Sequence, residues 1–125
     1  MAWIPELITD GEVDALRIVA QRAWGEDTRY PLWRESSVHG GGQCYVTAVW
    51  LQTRLGGFVG KKDGHYVWLS PDERHVIDLT GDHCGSLIRT RNQGYKKVDT
   101  VENDRTRLFI KRANALFDNL RRDKV

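Results

Sequence analysis

The chain has 125 residues, of which 40% are hydrophobic and 29% are charged, and its net charge is +2. This length and composition are typical of one folded domain and argue against a disordered chain, so we expect a single domain over residues 1–125. The sequence has no apolar stretch of bilayer length, no signal-peptide pattern and only two cysteines, so we expect a cytoplasmic protein without a disulfide framework or a membrane partner.

The first predicted element is a helix with a well-marked start. Thr9 and Glu12 have the spacing of a capping box, and Gly25 is expected to end the helix. Apolar residues recur between them at helical spacing: Val13, Leu16, Val19, Ala20 and Ala23. The stretch 26–42 contains a proline, two adjacent serines and three consecutive glycines, so we predict a loop there.

A second helix and three strands are predicted next. The helix runs over Gln43–Leu55 and is followed by two glycines that end it. The strands are Phe58–Lys62, His65–Leu69 and His75–Leu79, and all three are rich in strand-forming residues. An Asp-Gly turn joins the first two strands and a four-residue turn over 70–73 joins the last two, which predicts a β-meander.

In the last third of the chain, the pattern that predicts secondary structure is weak at first and then strong. Between 80 and 99 we expect at most one further strand, around Tyr95–Val98. A final amphipathic helix follows, with an apolar stripe made of Phe109, Ala113, Leu116, Phe117 and Leu120. Together the elements predict an α+β fold with helices packed on a small antiparallel sheet.

Cys44 is the first candidate for chemistry, because it follows a glycine-rich loop at the start of a predicted helix. The N-terminus of a helix carries unpaired N–H groups and a partial positive charge, which favour the reactive thiolate. The neighbouring glycines allow a substrate to approach the backbone closely. We therefore predict that Cys44 is a nucleophile and that its backbone N–H is an oxyanion donor.

His65 and Asp78 are the predicted partners of this thiol. If the turn between their strands sets the register, Leu69 pairs with Arg74 and His65 lies directly opposite Asp78. The carboxylate could then fix the imidazole, whose other nitrogen would face Cys44. A shift of one residue would place the two side chains on opposite faces of the sheet.

These residues lie in short motifs that resemble a known family. Gly-Gly-Gln-Cys at 41–44, Gly-His-Tyr at 64–66 and Ile-Asp-Leu-Thr at 77–80 resemble the YunG-like family of small bacterial proteins, over about Trp33 to Cys84. That family is similar to papain-like and transglutaminase-like thiol enzymes, in which a helix carries the Cys and adjacent strands carry the His and Asp. The resemblance implies a papain-like cysteine hydrolase architecture in minimal form.

Gln43 has two possible roles. In papain-like enzymes a Gln side chain joins the Cys backbone N–H in the oxyanion hole, so the resemblance makes Gln43 a candidate catalytic residue. Its position directly before Cys44 also suits a helix-capping or loop-bracing residue. The sequence leaves both roles open.

A metal site is the competing chemistry. Cys44, His65, His83 and Cys84 are suitable ligands for zinc, but they lack the paired spacing of a structural zinc site. We therefore expect no metal and no other cofactor, and we expect Cys84 to be a packing residue.

Positive charge is concentrated at the end of the chain. Residues 1–86 carry 8 Lys and Arg against 12 Asp and Glu, whereas residues 87–125 carry 11 against 5. The final helix contributes Arg105, Arg107, Lys111, Arg112, Arg121 and Arg122. These residues could form a solvated face opposite the apolar stripe, or a surface for nucleic acid or another acidic partner.

The sequence therefore predicts a cysteine-dependent hydrolase or acyl transferase that acts on an amide- or peptide-containing substrate. Peptidase, amidase and glutamine deamidase chemistry all fit a triad of Cys44, His65 and Asp78. The alternative is a catalytically silent interaction module that binds a macromolecule, such as nucleic acid, through the basic C-terminal helix.

Overall fold

A computed structural model describes residues 9–29, 42–80 and 88–123. The described elements, in chain order, are α1 (Asp10–Ala23), α2 (Cys44–Leu55), β1 (Phe58–Lys62), β2 (His65–Leu69), β3 (His75–Asp78), β4 (Ile88–Arg91), β5 (Lys96–Val98) and α3 (Asp104–Asp123). The predicted α+β class is confirmed. None of the helices in these three ranges is both long enough and apolar enough to cross a membrane.

Helix α1 begins where the capping pattern predicts. The Thr9 hydroxyl accepts a hydrogen bond from the Glu12 N–H at 3.1 Å and so satisfies one of the free donors of the first turn. The predicted apolar positions of this helix are all buried. Trp24 is the C-cap and Gly25 follows it. Of the predicted loop 26–42, residues 30–41 lie outside the described part of the chain.

Helix α2 starts one residue later than predicted, because Gln43 has non-helical backbone angles and is the N-cap. Gly56 ends the helix with a φ of +73°, a left-handed value that glycine adopts without strain. The helix packs Trp50 and Leu51 against Trp68 of the sheet. This contact fixes the position of the helix start, and with it Cys44, relative to the strands.

The five strands form one antiparallel sheet in the order β4-β3-β2-β1-β5. The predicted β1–β2 hairpin is confirmed, with Lys62 paired to His65 across the turn. The two turn residues, Asp63 and Gly64, have φ values of +51° and +79°. Positive φ at both central positions is the geometry that makes an Asp-Gly sequence a hairpin signal.

The β2–β3 register differs from the prediction. Leu69 pairs with Val76, and the predicted pairing of Leu69 with Arg74 is wrong by two residues. The reason lies in Ser70, whose N–H donates to the His75 carbonyl at 3.0 Å and whose hydroxyl accepts from the His75 N–H at 3.0 Å. Ser70 therefore continues the ladder, and the turn spans 71–74. A shift of two residues, unlike a shift of one, keeps each side chain on its predicted face.

Two strands lie after residue 80, where the sequence pattern is weak. β5 matches the predicted strand apart from Tyr95, which precedes it, whereas β4 was not predicted. β4 has the sequence Ile-Arg-Thr-Arg at an edge of the sheet, and one large apolar residue does not produce a recognisable alternation. The third strand ends at Asp78, one residue earlier than expected.

Different elements of the chain pack against the two faces of the sheet. The helices cover one face, where Trp68 and Ile77 join the main core, which includes the buried Phe109 and Ala113 of the predicted α3 stripe. On the other face Val67, Leu69 and Val76 form a smaller cluster with Phe58 and Tyr95. Tyr95 belongs to the connection 92–95 between β4 and β5, so this short segment crosses the face that the helices leave open.

Candidate active site

Cys44 is the first residue of α2 and its side chain is partly exposed. The side chain of its N-cap residue, Gln43, makes no capping hydrogen bond to the helix. The next turn is fixed by Thr47, whose N–H and hydroxyl both donate to the Gln43 carbonyl, at 3.1 and 2.7 Å. The thiol therefore lies at a helix start that these two bonds hold in place.

His65 and Asp78 are in direct contact. His65 Nε2 lies 2.6 Å from Asp78 Oδ2, and the Asp78 side chain is only 8% exposed. The other carboxylate oxygen accepts hydrogen bonds from the Thr80 N–H at 3.0 Å and from the Thr80 hydroxyl at 3.1 Å. Because both oxygens are engaged, the carboxylate is held in one orientation toward the imidazole.

The charges around His65 raise its pKa to about 10. The hydrogen bond with Asp78 is the largest cause, a side-chain interaction with Cys44 is the second, and burial opposes both. The imidazole is therefore protonated at neutral pH. Since Asp78 occupies Nε2, Nδ1 is the nitrogen left for Cys44.

His65 and Asp78 are not the directly opposed pair that the sequence had suggested. The paired residues of β2 and β3 are Trp68 with Ile77 and Leu69 with Val76. The side chains of His65 and Asp78 meet beyond these pairs, at 2.6 Å. The predicted partners are thus brought together although the predicted register is wrong.

A narrow cleft connects the thiol to the carboxylate strand. It lies between α2 and the two strands β2 and β3, and its lining includes Cys44, Thr47, Tyr66 and Asp78.

The Gln43 side chain makes contacts that suit a loop-bracing residue. Its side chain is fully buried, and its amide nitrogen donates to the Gly25 carbonyl at 2.9 Å. Its amide oxygen accepts from the Thr28 hydroxyl at 2.8 Å. These contacts agree with the loop-bracing role, because the side chain binds the turn after α1. The oxyanion roles of Gln43 and of the Cys44 N–H stay predictions.

Tyr95 is the site neighbour that sequence reasoning missed. Its ring lies edge-to-face on the His65 ring, with centroids 6.4 Å apart. The pKa of the Tyr95 hydroxyl is raised, mainly by burial and then by electrostatic interactions with Asp78, Asp63 and Cys44. No residue pattern pairs a tyrosine before β5 with a histidine at the start of β2, so only the fold brings the two rings together.

The Asn92 side chain holds the connection that carries Tyr95. It accepts from the Tyr95 N–H at 2.7 Å and donates to the Tyr95 carbonyl at 2.9 Å. The same amide donates to the Glu73 carbonyl at 2.8 Å, which anchors it to the β2–β3 turn. Asn92 therefore holds the Tyr95 backbone in place and links it to the β2–β3 turn.

Two of the basic residues of α3 make contacts within the chain. Arg112 donates to the Ala23 carbonyl at 2.8 Å and to Asp27 at 2.6 Å, which joins α3 to the end of α1. This guanidinium also lowers the pKa of the Asp27 carboxyl. Arg107 pairs with Asp104 on its own helix.

Some of the candidate residues from the sequence lie outside the part of the chain that the structure describes. His83 and Cys84 lie outside the described residues, as do the side chains of Arg121 and Arg122. Within the described ranges there is no group of three or more His, Cys, Asp or Glu side chains that could hold a metal ion.

No protein-family model matches the chain, and neither a curated protein nor a solved structure matches it. The functional interpretation therefore rests on the geometry around Cys44, His65 and Asp78.

Proposed function

We propose that the protein is a cysteine-dependent hydrolase or acyl transferase that acts on an amide or peptide bond. One arrangement carries this proposal: an imidazole bound to Asp78 at 2.6 Å also interacts with the side chain of Cys44, at the start of a helix. A nucleophile, a base and a group that orients the base are the three parts that acyl-transfer chemistry requires.

The acylation step uses the charged form of His65. The Cys44 thiolate attacks the carbonyl carbon, a C–S bond forms, and the carbonyl π electrons move to oxygen beside the Cys44 N–H. When the intermediate collapses, the C–N bond breaks and the imidazolium of His65 gives its proton to the leaving nitrogen. A thioester and a neutral imidazole remain. A raised histidine pKa suits this step because the acid is already protonated at neutral pH.

The deacylation step returns the site to its starting state. The neutral imidazole of His65 removes a proton from water as the water oxygen attacks the thioester carbon. The C–S bond breaks, and the products are a carboxylic acid, the Cys44 thiolate and the imidazolium. An amine in place of water gives acyl transfer, and a glutamine side-chain amide as first substrate gives deamidation.

A papain-like architecture in minimal form and membership of the YunG-like family are part of this proposal. The supporting feature is topological: the helix that carries Cys44 packs on an antiparallel sheet whose neighbouring strands carry His65 and Asp78 in that chain order. Fold alone does not define activity, so the proposal depends on the chemistry of the thiol.

The test is the reactivity of Cys44 toward iodoacetamide and a vinyl sulfone at pH 6, with labelled peptides identified by mass spectrometry. We expect rapid labelling of Cys44 in the folded protein, because an activated thiolate reacts at mildly acidic pH. Cys44→Ser should abolish labelling at this site without changing the melting temperature. Cys84→Ser is the matched control and should leave Cys44 labelling intact.

Two results would contradict the proposal. The first is labelling of native Cys44 no faster than labelling of the urea-unfolded chain at the same pH. The second is unfolding of the Cys44→Ser variant, which would identify the thiol as a packing residue.

A further inference from the structure

Four lysines lie at one end of β1 and β5, beside the candidate site; strand alternation puts Lys61 and Lys96 on one face of the sheet and Lys62 and Lys97 on the other. Lys61 and Lys62 end β1, and Lys96 and Lys97 begin β5. Lys61 is directly paired with Lys96, and all four side chains are exposed. We refer to these four residues as the lysine patch.

The ammonium groups of the lysine patch have no carboxylate partner among the described residues, where every salt bridge involves arginine or histidine. Three of them lie over aromatic rings instead, and the Lys62 ammonium also donates to the Gln93 carbonyl at 2.7 Å. The nitrogen-to-centroid distances are 5.3 Å from Lys61 to Tyr66, 5.9 Å from Lys62 to Tyr95 and 4.7 Å from Lys97 to Phe58. An aromatic face holds a cation without neutralising it, so these charges remain available to an anion.

Protection of a sheet edge explains only part of this patch. Lysines on an edge strand discourage pairing with another chain, and this accounts for the two on β5. Lys61 and Lys62 are on β1, which is paired on both sides. Like charges directly opposite each other in a sheet are unfavourable, so the pairing of Lys61 with Lys96 has an electrostatic cost. A bound anion would offset that cost.

The lysine patch adjoins the reacting groups. Lys62 is directly opposite His65 across the β1–β2 hairpin, and Lys61 is directly opposite Tyr66. Tyr66 lines the same cleft as Cys44. Lys61 therefore lies beside a residue of the cleft, and Lys62 lies beside the histidine of the candidate site.

We propose that the substrate is an acidic peptide segment, with carboxylates next to the reacting amide that bind to the lysine patch. This inference rests on the proposed function, because the reacting amide is what brings a peptide to Cys44. Oriented carboxylates would also raise the local concentration of substrate and speed its association.

The first experiment compares two alkylating reagents that differ in charge, iodoacetate and iodoacetamide, on the full chain at low ionic strength. The ratio of their rates at Cys44 reports the local potential. Lys61→Gln and Lys62→Gln should each lower this ratio about two- to fivefold, the effect of one exposed charge at short range. The ratio cancels any change in the intrinsic reactivity of the thiol, because both reagents attack the same sulfur. Lys62→Arg should retain the ratio. Lys111→Gln, an exposed lysine of α3, is the matched control and should retain it too.

The second experiment measures protection of Cys44 from iodoacetamide by a hexaglutamate peptide, a hexaglutamine peptide and a single-stranded dT12 oligonucleotide. We expect protection by hexaglutamate only, with loss of protection in the Lys61→Gln, Lys62→Gln double variant. Protection by dT12 equal to or better than that by hexaglutamate would overturn the acidic-peptide assignment, as would a reagent ratio unaffected by the lysine variants. An unreactive Cys44 would instead refute the proposed function itself, so the two failures are distinguishable.

Discussion

Gln43 and Cys44 are neighbours in the chain but belong to two polar regions with opposite properties. The first region, which we call the brace, is neutral and mostly buried, and consists of Trp24, Gly25, Thr28, Gln43 and Thr47. The second, which we call the triad, consists of Cys44, His65 and Asp78 and is charged and partly exposed. One peptide bond separates them.

The difference lies in what each region can gain from burial. A neutral polar group is buried at little cost when its hydrogen bonds are satisfied, and the described contacts engage both ends of the Gln43 amide. A charged imidazole loses hydration when buried, so His65 stays partly open and depends on Asp78. The brace should therefore contribute to stability and the triad to reactivity, and substitutions should separate the two.

The largest effect should come from Asp78→Asn. Removing the carboxylate charge removes the main cause of the raised His65 pKa, so the value should fall from about 10 toward 6.5. Iodoacetamide labelling of Cys44 at pH 7 should fall about tenfold or more, because a neutral imidazole no longer stabilises the thiolate. NMR titration of the His65 ring protons gives the pKa directly. A His65 pKa that stays near 10 in the variant would show that Asp78 does not control the imidazole.

The same pair makes stability depend on pH. Because folding raises the His65 pKa from 6.5 to about 10, the pair stabilises the fold fully below pH 6.5, and this contribution is lost as the pH rises through about 10. The difference in unfolding free energy between the wild type and Asp78→Asn should therefore shrink between pH 6.5 and pH 10. Urea unfolding at pH 6, 8 and 10 measures it, and a difference that grows with pH would contradict the assignment.

Gln43→Ala should produce the next largest effect and should act on stability. It leaves the buried Thr28 hydroxyl and Gly25 carbonyl without the amide, at a cost of about 1 to 3 kcal/mol in unfolding free energy. Labelling of Cys44 in the folded variant should be nearly unchanged. The reverse outcome, lost reactivity at full stability, would favour the role of Gln43 as an oxyanion donor.

Thr80→Val should produce the smallest effect. It removes one of the two hydrogen bonds to Asp78 Oδ1 and keeps the backbone bond, so the carboxylate should stay near His65. We expect about 1 kcal/mol of destabilisation and a decrease in Cys44 labelling of only a few fold. A decrease as large as that of Asp78→Asn would mean that the hydroxyl, and not the backbone, orients the carboxylate.

Local signals predicted most of the fold. The capping pattern at Thr9, the Asp-Gly turn at 63–64 and the α3 stripe each depend on nearby residues, and each predicted its element. The β2–β3 register was misread because the sequence 70–74 does not show that Ser70 pairs with His75. β4 escaped prediction because an edge strand with polar alternation lacks the apolar pattern that marks a buried one.

The sequence motifs identified the three residues of the triad, but the sequence did not predict which residues surround them. Cys44, His65 and Asp78 were chosen because their spacing suited a helix start and two neighbouring strands. The brace around Gln43 and the ring of Tyr95 depend on residues distant in the chain, so no local pattern could predict them. The same reason left the pairing of Lys61 with Lys96 unforeseen.

The connection 92–95 limits the shape of the whole sheet. It joins the two opposite edges, which in a flat five-stranded sheet would be about 19 Å apart, at about 4.8 Å per neighbouring pair. The five steps from Arg91 to Lys96 span at most about 18 Å even when fully extended. The ends are further separated along the strands, because Arg91 pairs with His75 at the start of β3 and Lys96 pairs with Lys61 near the end of β1. The sheet must therefore coil strongly enough to bring two diagonal corners together, and the length of this short crossing sets the curvature of the surface on which His65 lies.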